Sequence, residues 1–460
     1  MLLGCVDRVG SWAGTPTVAC WGTASSILPR TGPKVQTNVR RHAVDHEPRP
    51  RRILLVDCDA FYVQVAQLLD PEGAGRARLL IVGGSATGRG VVTSASYEAR
   101  KFGVHSAMPT AHALRLCPDA TVVPVPRDAC VDKSREVRKT LQRLAPVVQA
   151  ASIDEFYLDL SGTERLFHDE PLVETATRMR EEVLGETRIS VSVGGGTRRV
   201  IAKLATRRAK PAGVFVVEPG GELDFLKTLE LGDLPGVGPS LVEALRKKGL
   251  VRVEDALQVQ VEWLQRWFGR RRGAWLHRRM RGEDDSEVDP HEARKSISAE
   301  RTFFRDLTDD DDLERRLLDL SGSVAATLRH KGLRARTITV KLRDADFTTR
   351  QHSRTLPEVV ESDAAIFDVA RSLLRELRAR RRGPARLLGV GLSGLSDPDE
   401  PQQLGLFEER MAAGETERDR AVSRAVDQLK GRFGSGAVRP GRMFDGRTPG
   451  RSHPGEDPTP

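Results

Sequence analysis

Several features that quickly place a protein are scarce or missing in this sequence. Its five cysteines (Cys5, Cys20, Cys58, Cys117 and Cys130) form no CxxC pair and no metal-ligand spacing. That leaves no basis for a thiolate metal site and fits a reduced, cytoplasmic setting. No apolar run approaches the ~18 residues that a membrane span needs. The opening residues, MLLGCVDRVGSWAG, lack a basic n-region and are interrupted by Asp7 and Arg8, so they make a poor signal peptide. Charge of one sign is only slightly in excess, with 73 Lys and Arg against 64 Asp and Glu, a net +9. Such a balance leans toward polyanionic partners without requiring them. At 460 residues the chain has room for about three domains with real cores.

What is present is concentrated in two short strings, ILLVDCDAFY (53–62) and ASIDEFYLDLSG (151–162). Each is an apolar, β-branched run ending in carboxylates, the pattern of a buried strand that delivers acids to its end. Asp57, Asp154 and Glu155 can therefore meet in space although they are far apart in sequence. Gathered carboxylates repel unless cations lie between them, and an oxygen-only donor set suits Mg²⁺. Two such ions roughly 3.5–4 Å apart clamp the attacking and leaving oxygens of a phosphoryl displacement. Taken singly, each acid reads equally as a cap on the end of a buried strand.

The rest of the chain divides by pattern. Residues 1–50 carry no sustained period and end in RRHAVDHEPRPRR, the composition of a disordered basic tail or of a mis-assigned start. From 51 to about 218 strand-like and helix-like stretches alternate: strands at 53–57, 79–84, 90–96 and 121–125, a hairpin over 149–160, a helix near 171–184, a strand at 189–195, a helix at 198–209 and a strand at 213–218. This is an α/β or α+β domain with a mixed sheet. Between about 219 and 285 the strand signal vanishes, and SEVDPHEARK (286–295) reads as a linker. Beyond it the order strand 296–303, helix 309–332, strands 337–345 and 349–356, helix 361–381 and strand 386–395 is βαββαβ, the ferredoxin-like arrangement. The DDDD run at 309–312 is a helix cap rather than a metal site.

Further motifs favour a nucleic-acid partner. LPGVGPSLVEALRKKGL (234–250) pairs a GxG turn with a basic-ended amphipathic helix; Gly236 and Gly238 permit a tight loop whose amides face an anion, the helix-hairpin-helix pattern. In RWFGRRRGAWLHRRMRG (266–282) the aromatics belong to a helical core, and the arginines either meet phosphates or form a solvated face. TSASYEARKFGVHSAMP (93–109) places Ser94, Tyr97 and Arg100 within two turns, a set of hydroxyls and a guanidinium fork suited to phosphate oxygens, and Lys210 adds a point charge. QLGLF (403–407) is an apolar string in polar, helix-poor surroundings, as expected of a peptide that docks in a partner's groove.

Together these strings resemble the Y-family DNA polymerases of the DinB (DNA polymerase IV) type, over nearly the whole chain from about 51 to 407. The motifs DxDxFY at 57–62, YEARKFGV at 97–104, SIDEFYLD at 152–159, AKPAG at 209–213, PGVG at 235–238 and RLLGVGLSGL at 386–395 stand in the family's order and spacing. The resemblance implies an α+β right hand. Its ferredoxin-like palm is 51–60 with 127–217, small fingers span 61–126, a helical thumb 218–285, a linker 286–294 and a little finger 295–397, with a tail over 398–460. It implies that Asp57, Asp154, Glu155 and the carbonyl of Cys58 hold two Mg²⁺ ions, with Mn²⁺ as a substitute. Ser94, Tyr97, Arg100 and Lys210 would hold the incoming dNTP, Tyr62 would be the steric gate against a ribose 2′-OH, and Gly236 and Gly238 would contact DNA. Gln403, Leu404, Leu406 and Phe407 would bind the sliding clamp. The implied activity is error-prone, poorly processive translesion synthesis by a cytoplasmic monomer without a proofreading domain. Ala66 stands where many members carry Glu, and 194–203 lacks their Asn-Lys pair. Two rivals are a non-catalytic, clamp-bound adaptor of the same fold and another palm-type enzyme such as a cyclase. The intact carboxylates count against the first, and the hairpin and clamp-like peptide against the second.

Overall fold

A strand that is apolar on both faces must be covered on both. Ile53–Cys58 (β1), buried along its whole length, lies at the centre of a five-stranded sheet in the computed structural model, which describes residues 49–397, 415–434, 436–438 and 441. From β1 the chain runs through α1 (Phe61–Leu69), β2 (Leu80–Gly83), β3 (Val92–Ala95), α2 (Tyr97–Arg100), α3 (Thr110–Leu116) and β4 (Thr121–Val123). Next come α4 (Arg127–Leu144), β5 (Val147–Ala150), β6 (Glu155–Asp159), α5 (Leu172–Thr187), β7 (Val191–Gly196), α6 (Arg199–Ala209) and β8 (Val214–Val216). A helical stretch follows with α7 (Glu222–Lys227), α8 (Pro239–Arg246), α9 (Val253–Leu257), α10 (Val261–Phe268) and α11 (Arg270–Met280). The last group is β9 (Ser296–Leu307), α12 (Asp310–His330), β10 (Arg334–Asp344), β11 (Thr349–Val360), α13 (Asp363–Arg380), β12 (Ala385–Ser396) and α14 (Glu417–Phe433). Among the described residues no helix is long and apolar enough to cross a membrane.

The first sheet has the order β5-β6-β1-β7-β8 and is covered on both faces. Leu54 and Val56 pack with Val137 and Leu141 of α4 and Met179 and Val183 of α5. Ile53 and Leu55, pointing the other way, pack with Tyr157 and with Ala202 of α6. Side chains alternate along a strand, so Asp57 continues the α6 face. Each of these fully buried aliphatic side chains contributes roughly 1.5–3 kcal/mol. The glycine run of β7 is what lets α6 come close. A Cβ on Gly194 would lie 2.1 Å from the Thr206 amide nitrogen, and one on Gly196 would lie 2.5 Å from Ile201. The helix therefore rests on bare backbone, with the Thr206 hydroxyl 3.3 Å from the Leu55 carbonyl.

A small sheet of order β3-β2-β4 has its own core of Ile81, Val92, Ala95, Ala99, Val104 and Ala113. The helices α7–α11 close round Leu226, Leu234, Leu245, Leu264 and Leu276. The C-terminal sheet, β11-β10-β12-β9, carries α12 and α13 on one face. Its βαββαβ order agrees with the sequence pattern. Asp309 caps α12 as expected of the acidic run, its carboxylate accepting from the Asp312 amide at 3.0 Å.

Three features differ from the sequence reading. Helix α4, absent from it, covers one face of the first sheet. Residues in the linker stretch are pinned down: Val288 is buried against Ile53 and Leu55, and Gln149 bonds the Asp289 amide (3.1 Å) and the Glu292 carboxylate (2.8 Å). Helix α14 arises in sequence taken as helix-poor tail and docks on the preceding domain through Arg329, whose guanidinium joins Asp427 (2.7 Å) to Asp363 (2.8 Å).

Candidate active site

Asp57 is the fifth residue of β1, and the antiparallel register sets it directly opposite Glu155 at the start of β6. Residues paired in this way put their Cβ atoms on one face roughly 5 Å apart. Asp154 is tied to the same strand end, because the Cys58 amide donates to its carbonyl at 2.9 Å. The Ser152 hydroxyl accepts from the amides of Asp154 (3.2 Å) and Glu155 (3.0 Å) and donates to the Asp154 carboxylate. The structure thus brings the three sequence-predicted acids to one place.

Two lysines meet them. Lys203 stands on α6 and Lys210 is the extended residue that ends it, and each reaches one of the acids. Lys203 Nζ is 2.8 and 2.7 Å from the two carboxylate oxygens of Glu155, and Lys210 Nζ is 2.6 Å from Asp57 Oδ1. Among the described residues no three His, Cys, Asp or Glu side chains close round a single point; two of the acids close on ammonium groups instead. Burial pushes the Asp57 carboxyl up to about 6 although Lys210 pulls it down, and the charges of Glu155 and Asp154 add to the rise. Carboxylates held beside cationic stand-ins, with a backbone carbonyl at Cys58, form an oxygen donor set that fits hard divalent ions.

Tyr62, the second residue of α1, is half-buried with its ring edge-on to Phe61 at 5.7 Å. Burial and then the Asp154 charge hold its phenol above the ordinary range. Ser94 is buried in β3, opposite Val82 of β2. Tyr97 opens α2 and donates its hydroxyl to Asp59 Oδ1 at 3.0 Å; burial, then the Asp59 charge, raise the phenol. The Arg100 guanidinium lies 4.8 Å over the Tyr97 ring, and its Nε donates to the Ala95 carbonyl at 2.9 Å. Ala66 is buried in a small cluster with Val63 and Leu80.

Two residues that sequence reasoning passed over prove central. Asp59 is a buried carboxylate bonded to Tyr97, Ser190, Ser192 and the Ala212 amide. Lys203 neutralises Glu155. Their signals were the second acid of DxD and the seven-residue lysine spacing in KLATRRAK (203–210). Farther away, Gly236 has φ +92°, and a Cβ there would strike the Trp275 ring at 2.7 Å, whereas Gly238 has open space where a Cβ would stand. Trp267, Phe268 and Trp275 pack against the helical core, as expected of them. The residues Gln403, Leu404, Leu406 and Phe407 lie outside the described residues.

Comparison with known proteins adds independent findings. Three family descriptions match: "impB/mucB/samB family" over residues 56–207, its C-terminal domain over 294–406, and "DNA polymerase-iota, thumb domain" over 232–284. A DNA polymerase IV of Caulobacter vibrioides is 39% identical over 393 residues, 85% of this chain and 94% of that protein. One from Halorhodospira halophila is 39% identical over 354 residues, 77% of this chain and 98% of that protein. Among solved structures, a Y-family DNA polymerase chimera aligns with TM-score 0.68 at 26% identity, covering 75% of this chain and 99% of its own. DinB from Sulfolobus solfataricus aligns with TM-score 0.52 at 28% identity, covering 74% of this chain and 98% of its own. The five-stranded sheet is accordingly the palm, the small sheet the fingers, α7–α11 the thumb and the βαββαβ unit the little finger. On this evidence the chain belongs to the Y-family DNA polymerases of the DinB type and is a DNA-directed DNA polymerase.

Proposed function

We propose that this polymerase performs translesion synthesis, adding dNTPs to a primer 3′-OH on damaged template with low fidelity and low processivity. The observation that carries the reading is the pairing of Asp57 with Glu155 across β1 and β6, with Asp154 fastened to the same strand end. Asp57, Asp154, Glu155 and the Cys58 carbonyl would hold two Mg²⁺ ions, or Mn²⁺ in their place, which when bound activate the 3′-OH and neutralise charge on the triphosphate. The protein's own groups do the rest. Lys210 and Arg100 offer cationic donors to the leaving pyrophosphate, Ser94 and Tyr97 complete the nucleotide subsite, and the Tyr62 ring fills the space of a 2′-OH. In the free protein Lys203 and Lys210 keep the acids neutralised until substrate arrives.

One solved structure that aligns with this chain, at TM-score 0.54 and 27% identity, is an insertion ternary complex of Dbh DNA polymerase, which supports primer–template DNA and a dNTP as ligands here. The thumb loop at Gly236 and Gly238 would take a DNA phosphate, giving a steep salt dependence. Tethering to the sliding clamp through 403–407 would raise effective concentration and offset weak grip. The enzyme works on this reading as a cytoplasmic monomer. The test is primer extension across an abasic template position in Mg²⁺. Bypass by the wild-type chain, distributive and lost on adding EDTA, is expected; complete arrest one nucleotide before the lesion, with normal extension of undamaged template, would contradict the translesion role.

A further inference from the structure

Asp59 takes no part in the proposed metal set, yet it is tightly bound into the cleft. It is 4% exposed, and its carboxylate accepts four hydrogen bonds. Oδ1 accepts from the Tyr97 hydroxyl at 3.0 Å and the Ser192 hydroxyl at 2.8 Å. Oδ2 accepts from the Ser190 hydroxyl at 3.1 Å and the Ala212 amide at 3.0 Å. The backbone is clamped as well: the Asp59 amide donates to the Ser190 carbonyl at 3.0 Å. The Gln64 side chain donates to the same carbonyl at 2.9 Å and to the Asp59 carbonyl, and accepts from the Ser190 amide at 2.7 Å. A buried carboxylate is costly unless its lone pairs are filled, and bonds to an ionised acceptor are the strong ones. Here the four donors are neutral and come from separate places: α2 of the fingers, the stretch leading into β7, β7 itself and the turn after Lys210.

We propose that Asp59 is a positioning residue for the nucleotide subsite, holding the fingers' Tyr97–Arg100 pair and the Lys210 turn in register with the catalytic end of β1. The chain of contacts is continuous. Arg100 lies over the Tyr97 ring, Tyr97 bonds Asp59, Asp59 bonds the amide two residues past Lys210, and Lys210 bonds Asp57. A phenol has a single proton to donate. With Asp59 accepting it, the Tyr97 ring and the Arg100 guanidinium lying over it are held in place before a nucleotide enters. The inference rests on reading this cleft as the dNTP subsite.

The experiment is steady-state single-nucleotide incorporation by the full-length chain, with kcat and KM for dNTP measured separately. Wild type is compared with Asp59→Asn, Tyr97→Phe and the double variant, each checked by thermal melting. Misplacing binding groups without removing them costs affinity first, so Asp59→Asn should raise KM about tenfold while kcat falls no more than about threefold. Tyr97→Phe should raise KM about fivefold, and the double variant should exceed the worse single by no more than about twofold, because one removes and the other weakens the same contact by taking away its ionised acceptor. An unchanged KM in a well-folded Asp59→Asn, or single effects that multiply, would overturn the positioning role. Should Asp59→Asn melt below the assay temperature, Ser190→Ala and Ser192→Ala decide, since each removes one donor to Asp59 without touching a nucleotide-binding group: a raised KM with an unchanged melt supports the role, and an unchanged KM in both removes it. A wild-type chain that extends no primer at any dNTP concentration would instead sink the polymerase reading.

Discussion

Replacing Asp57 by Asn should stabilise the metal-free protein while abolishing its activity. The carboxyl is 8% exposed and its pKa stands at about 6 against an ordinary 3.8, with burial the largest cause. A raised acid prefers its proton in the folded state, so ionising it opposes folding. The cost is absent below about pH 3.8, grows through the window from there to about 6, and is fully present above it. Each pH unit of that window is worth about 1.4 kcal/mol, which puts the whole cost on the order of 2–3 kcal/mol. Asn keeps an oxygen for the Lys210 ammonium and sheds the charge. In EDTA at pH 7.5, thermal or urea unfolding of Asp57→Asn should show a gain of about 1–3 kcal/mol, shrinking to roughly a third of that at pH 4.5. Primer extension, assayed with Mg²⁺ at pH 7.5, should be lost in the variant. A variant that is less stable than wild type at pH 7.5, or a gain independent of pH, would refute the reasoning. Stability given up at a catalytic centre is expected where charged groups are gathered for chemistry.

Tyr62→Ala should leave dNTP incorporation measurable and raise ribonucleotide incorporation on the order of 10–100-fold, read from rNTP and dNTP extension in parallel; an unchanged ratio would remove the gate. Gly236→Ala should cost about 1–2 kcal/mol, because φ is +92° and the Trp275 ring is in the way. It should also weaken DNA binding and flatten the salt slope by about one phosphate, both seen in fluorescence-anisotropy titrations. Asp427→Ala should leave the guanidinium of Arg329, 6% exposed, with Asp363 as its remaining carboxylate. A loss of about 1–3 kcal/mol in the anchoring of α14 is expected, with the earliest protease cuts moving into 417–433 while polymerase activity on short primers persists.

The parts of this molecule set by local periodicity could be read directly from its residues. β1 announced itself as an apolar run ending in an acid, whereas β6 starts at Glu155, so its site acids precede the apolar residues instead of following them. The βαββαβ unit showed as strong alternation between well-capped helices, Ser362 and Asp309 capping α13 and α12. Helix α4 was obscured because it buries only Cys130, Val137, Thr140 and Leu141 beneath an otherwise charged surface. Helix α14 was obscured for a different reason: its docking is polar, through Ser423, Arg424 and Asp427, so no apolar stripe marks the contact. In the segment 194–203, which lacks the Asn-Lys pair, Gly194 and Gly196 are needed because α6 lies directly on them, while Gly195 faces Leu54 and Val216 on the other side. The counter-charges at the site were illegible for a related reason. Which of many lysines faces an acid depends on how α6 is placed over β1 and β6, and that placement is tertiary. Asp59 likewise looked like a neighbour of Asp57, but β1 ends at Cys58 and the chain turns into α1 at Ala60, with φ 42°, and the Asp59 carboxylate bonds Ser192 of β7 and Tyr97 of the fingers instead.

The central claim is that the acids at the ends of β1 and β6 catalyse template-directed nucleotide addition. Primer extension on undamaged template with Mg²⁺ and dNTPs, comparing the full chain with Asp154→Ala/Glu155→Ala, tests it most directly. Extension by the first and none by the second, with both folded and both binding DNA, is the predicted result. Silence from a folded, DNA-bound wild type would contradict the account and favour a non-catalytic adaptor of the same fold.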